Sequence, residues 1–293
     1  MQAEQTPLRR IASDFVASPV AVVGLAVFCL IVLVALFAPL ISPQNPYDLA
    51  QLDVMDGRLP PRSPTANGGT FWLGTDDQGR DMLSAIFYGL RISLVVGVTS
   101  TVLALAIGLS MGLIAAYFGG RTETLIMRVA DIQLSFPAIL VALILLAVLG
   151  QGTFKIVAAL VTVQWAYYAR TVRSAALVEK RKEYIEAARC LALSPSRIVF
   201  AHLLPNCLPP LIVVATVQVA AAIALEATLS FLGLGLPITE PSLGLLIANG
   251  YQYLLSGKYW ISFFPGVALL LTIVSINLVA DQLRDVLNPR LRR

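Results

Sequence analysis

Apolar residues occur along this chain in long uninterrupted runs, not in the short alternation of half-buried strands. The first run, 20–41, carries no charged residue and is apolar apart from Pro39. At about 1.5 Å per residue, a helix over this run would cross the roughly 30 Å hydrocarbon core of a bilayer. Lipid offers no hydrogen-bond partners, so each such run is expected to be helical.

Five further runs follow, and the chain is predicted to be an all-α membrane protein with six transmembrane helices. The expected spans are 20–41, 91–118, 127–149, 154–173, 208–236 and 261–283. The fourth is the weakest, because Gln164, Tyr167 and Tyr168 dilute its apolar character. Arg9 and Arg10 precede the first run as they would in a signal peptide. Signal-peptide apolar segments are only about 7–15 residues long, so a retained first span is expected.

Composition excludes a water-soluble domain. Of the 293 residues, 57% are hydrophobic and 13% charged, with a mean hydropathy of +0.79. Soluble domains carry about 25% charged residues, so most of this surface must meet membrane lipid. The net charge of +4 comes without a basic patch interleaved with aromatic residues, which argues against nucleic acid as a partner. Three cysteines, Cys29, Cys190 and Cys207, form no disulfide framework, because their number is odd and one lies in the first span.

The distribution of basic residues predicts the orientation in the membrane. With the N-terminus inside, 15 of the 21 Lys and Arg residues fall on the inner side. This predicts a cytoplasmic tail 1–19, a first transmembrane helix 20–41 and an extracytoplasmic loop 42–90 that contains an amphipathic helix. A core 91–284 and a cytoplasmic tail 285–293 complete the chain. Both termini are therefore expected in the cytoplasm.

The outer loop contains an acidic turn that could suggest a metal site. Asp76, Asp77, Arg80 and Asp81 follow Gly74 closely. Their spacing matches no calcium loop, since Arg80 stands where an oxygen ligand would be needed. We expect a solvated turn held by salt bridges at the membrane surface.

Residues 183–205, EYIEAARCLALSPSRIVFAHLLP, form the one well-patterned charged stretch among the spans, and we call them the charged segment. Helix propensity predicts a first helix over 184–193. Ser194 as an N-cap and Pro195 at the first helical position predict a second helix, which Pro205 and Pro209 should end.

Three small residues of the charged segment, Ala187, Ala188 and Ala192, would let another backbone approach closely. Glu186 and Arg197 would place charge around that flat patch. A docking surface for a partner is one interpretation. A solvated connection whose charges only enforce topology is the other.

The sequence Glu186-Ala187-Ala188, followed at a fixed distance by Leu204-Pro205, resembles the EAA loop of permease subunits of bacterial ABC importers. Segments 71–94, 226–237 and 264–290 are similar to the dipeptide, oligopeptide and nickel branch, and within it to the "C" subunit. The resemblance implies a type I importer core with cytoplasmic coupling helices. It also implies peptides as substrates and a multi-pass position in the bacterial inner membrane.

In that family the EAA segment fits a groove on a separate ATPase. The residues that the resemblance assigns to docking are Glu186, Ala187, Ala188, Ala192, Arg197, Leu204 and Pro205. Ala192 stands where the family has glycine. Because alanine disfavours a left-handed turn, the break between the two helices is expected at Ser194-Pro195.

The resemblance also implies an assembly. Its parts are this subunit, a homologous permease, two ATPase subunits and an extracytoplasmic substrate-binding protein. The chain has no Walker motif, so ATP and magnesium would be held by the ATPase partners and this subunit would need no cofactor. It is expected to perform no chemistry of its own.

Two rival functions come from individual residues. Gly108-Leu-Ser110-Met-Gly112 fits the pattern of a hydrolase nucleophile, with His202 as the only histidine. That motif needs a strand-to-helix turn, whereas these residues lie inside a predicted span, so Gly108 and Gly112 are expected to serve helix packing.

Glu226, the one carboxylate well inside a span, raises the second rival, an ion-coupled secondary transporter. Such transporters favour midplane carboxylates or broken helices in paired positions, and Glu226 has no obvious symmetric mate in the sequence. It could line a translocation path. The alternative is an interior hydrogen bond to Gln218, Asn277 or a loop amide.

Overall fold

The computed structural model describes residues 7–48, 50, 52–65, 68–240 and 242–287. Over these residues the chain folds into helices with one short hairpin of β1 (Ser63–Pro64) and β2 (Thr70–Phe71). The helices are α1 (Pro7–Val16), α2 (Pro19–Ile41), α3 (Met82–Phe118), α4 (Gly120–Ser135), α5 (Ala138–Leu149), α6 (Thr153–Glu179), α7 (Glu183–Cys190), α8 (Pro195–Arg197), α9 (Leu204–Phe231), α10 (Leu243–Tyr251) and α11 (Trp260–Leu287). The end of the predicted C-terminal tail, 288–293, lies outside the described residues.

Four helical stretches are long and apolar enough to cross a membrane: α2, α3, the continuous stretch Pro195–Phe231, and α11. The bent pair of α4 and α5 would make a fifth. The predicted fourth span corresponds to α6, which has 27 residues but is too polar to meet the same criterion. The all-helical membrane fold is confirmed, and the number of six spans is approximate.

The third span was predicted as one helix over 127–149, and this is wrong. The chain breaks between Ser135 and Ala138, and α4 and α5 meet at an angle of 92°. Phe136 is extended, with φ −95° and ψ 143°. It precedes Pro137, and the ring of a proline pushes the residue before it out of the helical region.

Pro205 and Pro209 were predicted to end the second helix of the charged segment, and they do not. Helix α9 starts at Leu204 and continues through both prolines to Phe231. A wider π-helical turn, Ile198–Leu203, precedes it, and the Leu204 N–H bonds the Val199 carbonyl five residues back. This extra residue opens the helix just before Pro205, whose ring would otherwise clash with the preceding turn.

Helix α3 packs along α6 at short distance, as the two glycines predicted. A Cβ added at Gly108 would lie 2.5 Å from the Trp165 carbonyl oxygen, and one at Gly112 would lie 2.6 Å from that of Ala169. The packing role of the Gly108 and Gly112 pair is therefore confirmed. Ser110 faces away from this contact, is exposed, and donates to the Ala106 carbonyl of its own helix at 2.8 Å.

The outer turn (residues 74–81) is held by salt bridging, as predicted, but it is not solvated. Arg80 Nε lies 2.6 Å from Asp76 Oδ2, and the two residues are 1% and 0% exposed. Arg80 Nη1 donates to the Ile238 carbonyl at 3.1 Å, and Trp260 Nε1 donates to the Thr75 carbonyl at 3.2 Å. These bonds join the outer turn to the connection after α9 and to the start of α11, which is why it is buried.

Candidate coupling surface

Helix α7 is the first helix of the charged segment; it follows the end of α6 and presents one face outward. Glu186 and Ala187 are exposed, whereas Ile185 and Ala188 are 0% and 4% exposed. The two buried positions are three residues apart, as expected for one face of a short amphipathic helix. The side chain of Leu191, just past the helix, is 74% exposed.

The buried face of α7 rests on an apolar base. Ile185 and Ala188 belong to one buried cluster with Ile198, Leu203 and Cys207 at the start of the next membrane helix. The same cluster includes Tyr168, Val172 and Ala176 of α6. Through this cluster, α7 is in packed contact with both membrane helices.

The break after α7 falls at Ala192 and not at Ser194-Pro195, so the expectation for this alanine is wrong. Ala192 has φ +51°, in the left-handed region. The Leu193 N–H bonds the Ala188 carbonyl at 3.2 Å, and the Ala192 N–H bonds that of Arg189 at 2.9 Å. These two bonds make a Schellman C-cap, which favours glycine at the left-handed residue. Two satisfied carbonyls offset the strain of alanine there.

The second helix does begin where Ser194 and Pro195 predicted. Ser194 is extended and Pro195 is the first helical residue, although the Ser194 hydroxyl caps no backbone N–H and lies 3.3 Å from Ser196 Oγ. Arg197 is exposed at the end of α8. Leu204 is half-buried and Pro205 exposed at the start of α9.

Polar contacts tie α7 to its neighbours at the membrane-facing edge. The Tyr184 hydroxyl donates to Glu179 Oε2 at 2.7 Å and accepts from Asn206 Nδ2 at 3.1 Å. Lys182 Nζ lies 2.6 Å from Glu179 Oε1. Burial, with the hydrogen bond to Glu179, raises the pKa of Tyr184 to about 12. The phenol therefore stays protonated and keeps donating at neutral pH.

Lys180 ties the same junction to α3. Its ammonium group donates to the carbonyls of Ala116 and Tyr117 at 2.8 Å each and lies 5.9 Å from the centre of the Tyr117 ring. These carbonyls end α3, where a helix dipole favours positive charge. Burial, and then the nearby Arg189, lower the pKa of Lys180. Sequence reasoning missed Lys180, Tyr184 and Asn206 because their partners are distant in sequence or on the backbone.

Glu226 lies apart from these residues, near the other end of α9. It is 0% exposed and accepts hydrogen bonds from Ser93 Oγ of α3 at 3.0 Å and from Ser230 Oγ at 2.7 Å. The interior hydrogen bonds that we expected are present, but their partners are these serines and not Gln218, Asn277 or a loop amide. Its role in a translocation path stays a prediction.

Among the described residues, no hydrogen bond joins Ser110 to His202, and no group of His, Cys, Asp and Glu has the arrangement of a metal site. All three cysteines are unpaired: Cys29 and Cys190 are exposed and Cys207 is buried.

Two protein-family profiles match this chain. Residues 108–293 match the profile of the binding-protein-dependent transport system inner membrane component, and residues 6–61 match the N-terminal transmembrane domain of oligopeptide transport permease C. The second match includes the first predicted span.

Relatives extend over nearly the whole chain. A di/tripeptide transport system permease protein DppC of Pseudomonas aeruginosa is 38% identical over 98% of this chain and 93% of its own length. An oligopeptide transport system permease protein OppC of Bacillus subtilis is also 38% identical, over 95% of this chain and 88% of its own.

Two inward-facing structures of the MetNI methionine ABC transporter share the fold. They have TM-scores of 0.56 and 0.57 and 24% identity, and cover 70% of this chain and 97% of the matched chain. The chain belongs to the family of binding-protein-dependent transport system inner membrane components, and within it to the permease C subunits of the dipeptide and oligopeptide type.

Proposed function

We propose that this chain is the transmembrane permease subunit of an ATP-driven importer of short peptides. It would form half of the translocation pathway, with a homologous permease forming the other half. Two ATPase subunits would bind ATP and magnesium on the cytoplasmic side, and a substrate-binding protein would deliver peptides outside. The names of the DppC and OppC relatives support peptides as the substrate class.

The observation that carries the proposal is the construction of α7. Its exposed side presents Glu186 and Ala187, while its other side rests on a packed base that joins α6 to α9. A connecting loop that only separated two spans would need no such base. The surface is built to receive a partner and to pass motion into the membrane helices.

Transmission would follow the ties of the charged segment. Closure of the ATPases would displace α7, and the Tyr184 hydroxyl would carry that displacement to Asn206 on α9. Lys180 would carry it to the end of α3. The membrane helices would then move together between inward and outward openings. This requires the charged segment and both termini to be cytoplasmic, as the basic residues predict.

The test uses the complete complex in liposomes, with ATP hydrolysis and uptake of a radiolabelled dipeptide measured in parallel. Glu186→Arg and Ala187→Glu should leave the subunit inserted while uptake falls to background and hydrolysis no longer responds to loaded binding protein. Asp285→Arg is the matched control, since it reverses an exposed charge near the end of α11. Full transport by both variants of α7 would contradict the docking role.

A further inference from the structure

A polar groove between α4 and α6 is separate from the coupling surface. Glu123, Arg128 and Asp131 of α4 and Arg170, Arg173 and Ser174 of α6 line it, around a volume of ≈ 420 Å³. Two ion pairs cross it: Arg170 with Asp131, and Arg173 with Glu123. Arg173 Nε donates to Glu123 Oε1 at 2.8 Å.

The groove lies well inside α6, measured from its end beside the charged segment. Arg170 precedes Lys180 by ten residues, which is about 15 Å along a helix. Charged side chains on a membrane helix are expensive where they face lipid, and they almost always face other protein or a water-filled cavity. The polar face of α6 is continuous there, with Tyr167, Arg170 and Ser174 all exposed at helical spacing.

Helix α4 has two distinct sides, and only one of them is polar. Leu125, Val129 and Ile132 form an exposed apolar row on the side away from the groove. The opposite row meets α6 through Glu123 and Asp131. This separation is typical of a helix whose apolar side faces lipid or another protein, while its polar side here faces α6.

The break between α4 and α5 is a second, independent indication. Non-helical backbone at membrane depth is tolerated where it is buried in protein or lines a water-filled cavity. Here the break at Phe136 and Pro137 directly follows the helix that forms one wall of the groove. The side chains of Arg170 and Asp131 are 53% and 54% exposed, so other residues of this chain do not enclose the groove.

We infer that this groove is the inner part of the peptide pathway, and that its two ion pairs open to bind the charged ends of a passing peptide. Arg170 and Arg173 take the C-terminal carboxylate, while Asp131 and Glu123 take the N-terminal ammonium group. The groove offers both signs of charge, which matches a zwitterionic short peptide. Each charge exchanges one partner for another, so a peptide is held without being trapped. The inference rests on the proposed function.

A variant that removes the charges of one ion pair tests whether the groove binds the charged ends of a peptide. In Asp131→Asn/Arg170→Gln both charges disappear while hydrogen-bonding groups remain across the groove. Dipeptide uptake should fall by about tenfold or more, as expected for losing hydrogen bonds to charged groups. Hydrolysis stimulated by loaded binding protein should persist. Arg284→Gln/Asp285→Asn is the control, because it neutralises two opposite charges near the end of α11. Uptake at the unaltered rate would mean that the pair only fastens α4 to α6, and would overturn the inference.

Thiol labelling tests whether the groove lines the pathway without altering its charges. Ser174→Cys is introduced after alanine replaces the three native cysteines, and a membrane-impermeant thiol reagent is added from the cytoplasmic side. Reaction should occur and should slow during dipeptide transport. Ile144→Cys on α5, whose native side chain is 66% exposed in the apolar region, should stay unreactive. An unreactive thiol in the Ser174→Cys variant, or labelling that ignores the peptide, would contradict the inference.

These assays distinguish a failure of the proposed function from a failure of the role of the groove. An unaltered complex that hydrolyses ATP but accumulates no dipeptide would contradict the proposed function. Normal dipeptide uptake by both the unaltered complex and the neutral pair variant would contradict only the role of the groove.

Discussion

The outer turn and the charged segment both connect membrane helices, yet their charges are used in opposite ways. In the outer turn, Asp76 and Arg80 are buried and bonded to each other. In the charged segment, Glu186 and Arg197 are exposed and point away from the fold. Charge is part of the internal packing in the first region and of the presented surface in the second.

The ties that hold the two regions differ in the same sense. The outer turn is fixed by bonds to the Ile238 carbonyl and from the ring of the buried Trp260. The charged segment rests on its apolar base, and its side-chain ties are those of Tyr184 within the segment and of Lys180 just before it. The outer turn is therefore built to stay in place. Under the proposed function, the charged segment moves together with the membrane helices on which it rests.

The largest expected effect on stability comes from breaking the ion pair of the outer turn. Asp76→Ala leaves Arg80 buried without its partner, which should cost about 3–5 kcal/mol of unfolding free energy. The measurement is the unfolding midpoint of the purified complex in detergent. Asp76→Ala/Arg80→Met is the control, because replacing both charges by apolar groups should recover much of the loss. An unchanged midpoint for Asp76→Ala would contradict the assignment of this turn as a fixed cap.

The next effect loosens the end of α6, just before the charged segment, from α3. Lys180→Met removes two hydrogen bonds from an ammonium group to carbonyls, with an expected loss of about 1.5–3 kcal/mol. Hydrogen exchange of the amides at the end of α3 and in α7 measures it. Lys182→Met, which loses one exposed ion pair, should lose less than about 1 kcal/mol. Equal effects of the two changes would contradict the special position of Lys180.

A smaller effect concerns the tie between α7 and α9. Tyr184→Phe keeps the ring but loses the bonds to Glu179 and Asn206, at a cost of about 0.5–1.5 kcal/mol. Faster proteolysis within the charged segment should follow, with weaker coupling of uptake to hydrolysis. Tyr251→Phe, at an exposed ring at the end of α10, serves as the control. If both variants behave alike, the hydroxyl network plays no part in transmission.

The smallest expected effect is a gain in stability. Ala192→Gly removes left-handed strain and should stabilise α7 by about 0.5–1 kcal/mol, with transport preserved. Ala187→Gly, within the same helix, should destabilise it by a similar amount. Hydrogen exchange in α7 distinguishes the two. Destabilisation by Ala192→Gly would mean that the φ of +51° is not a feature of the folded protein.

Much of this fold could be predicted from local patterns. Uninterrupted apolar runs are specific to membrane helices, so α2, α3 and α11 were found directly. The pair Gly108 and Gly112 predicted close helix packing but did not identify α6 as the partner. Pro137 could have indicated the break after α4, since the residue before a proline leaves the helical region. Hydropathy alone predicts one span over 127–149, because it averages over the proline.

The remaining features depend on contacts that no local pattern reports. The burial of Asp76 and Arg80 depends on Ile238, which is far along the chain. The left-handed Ala192 is stabilised by two carbonyls of the preceding helix, which outweigh the preference of alanine itself. The α4–α6 groove joins residues 123 and 173, and only the packing of two helices brings them together. The assignment of the charged segment as a docking site came from family resemblance and not from composition.

One measurement tests the contrast between the two sides directly. A photo-reactive amino acid is placed at Ala187 in α7 or at Leu255, a fully exposed residue between α10 and α11, in the complete complex. The account predicts that position 187 crosslinks to an ATPase subunit and that position 255 does not. Crosslinking of the ATPase from position 255, with none from position 187, would contradict both the orientation and the role of the charged segment.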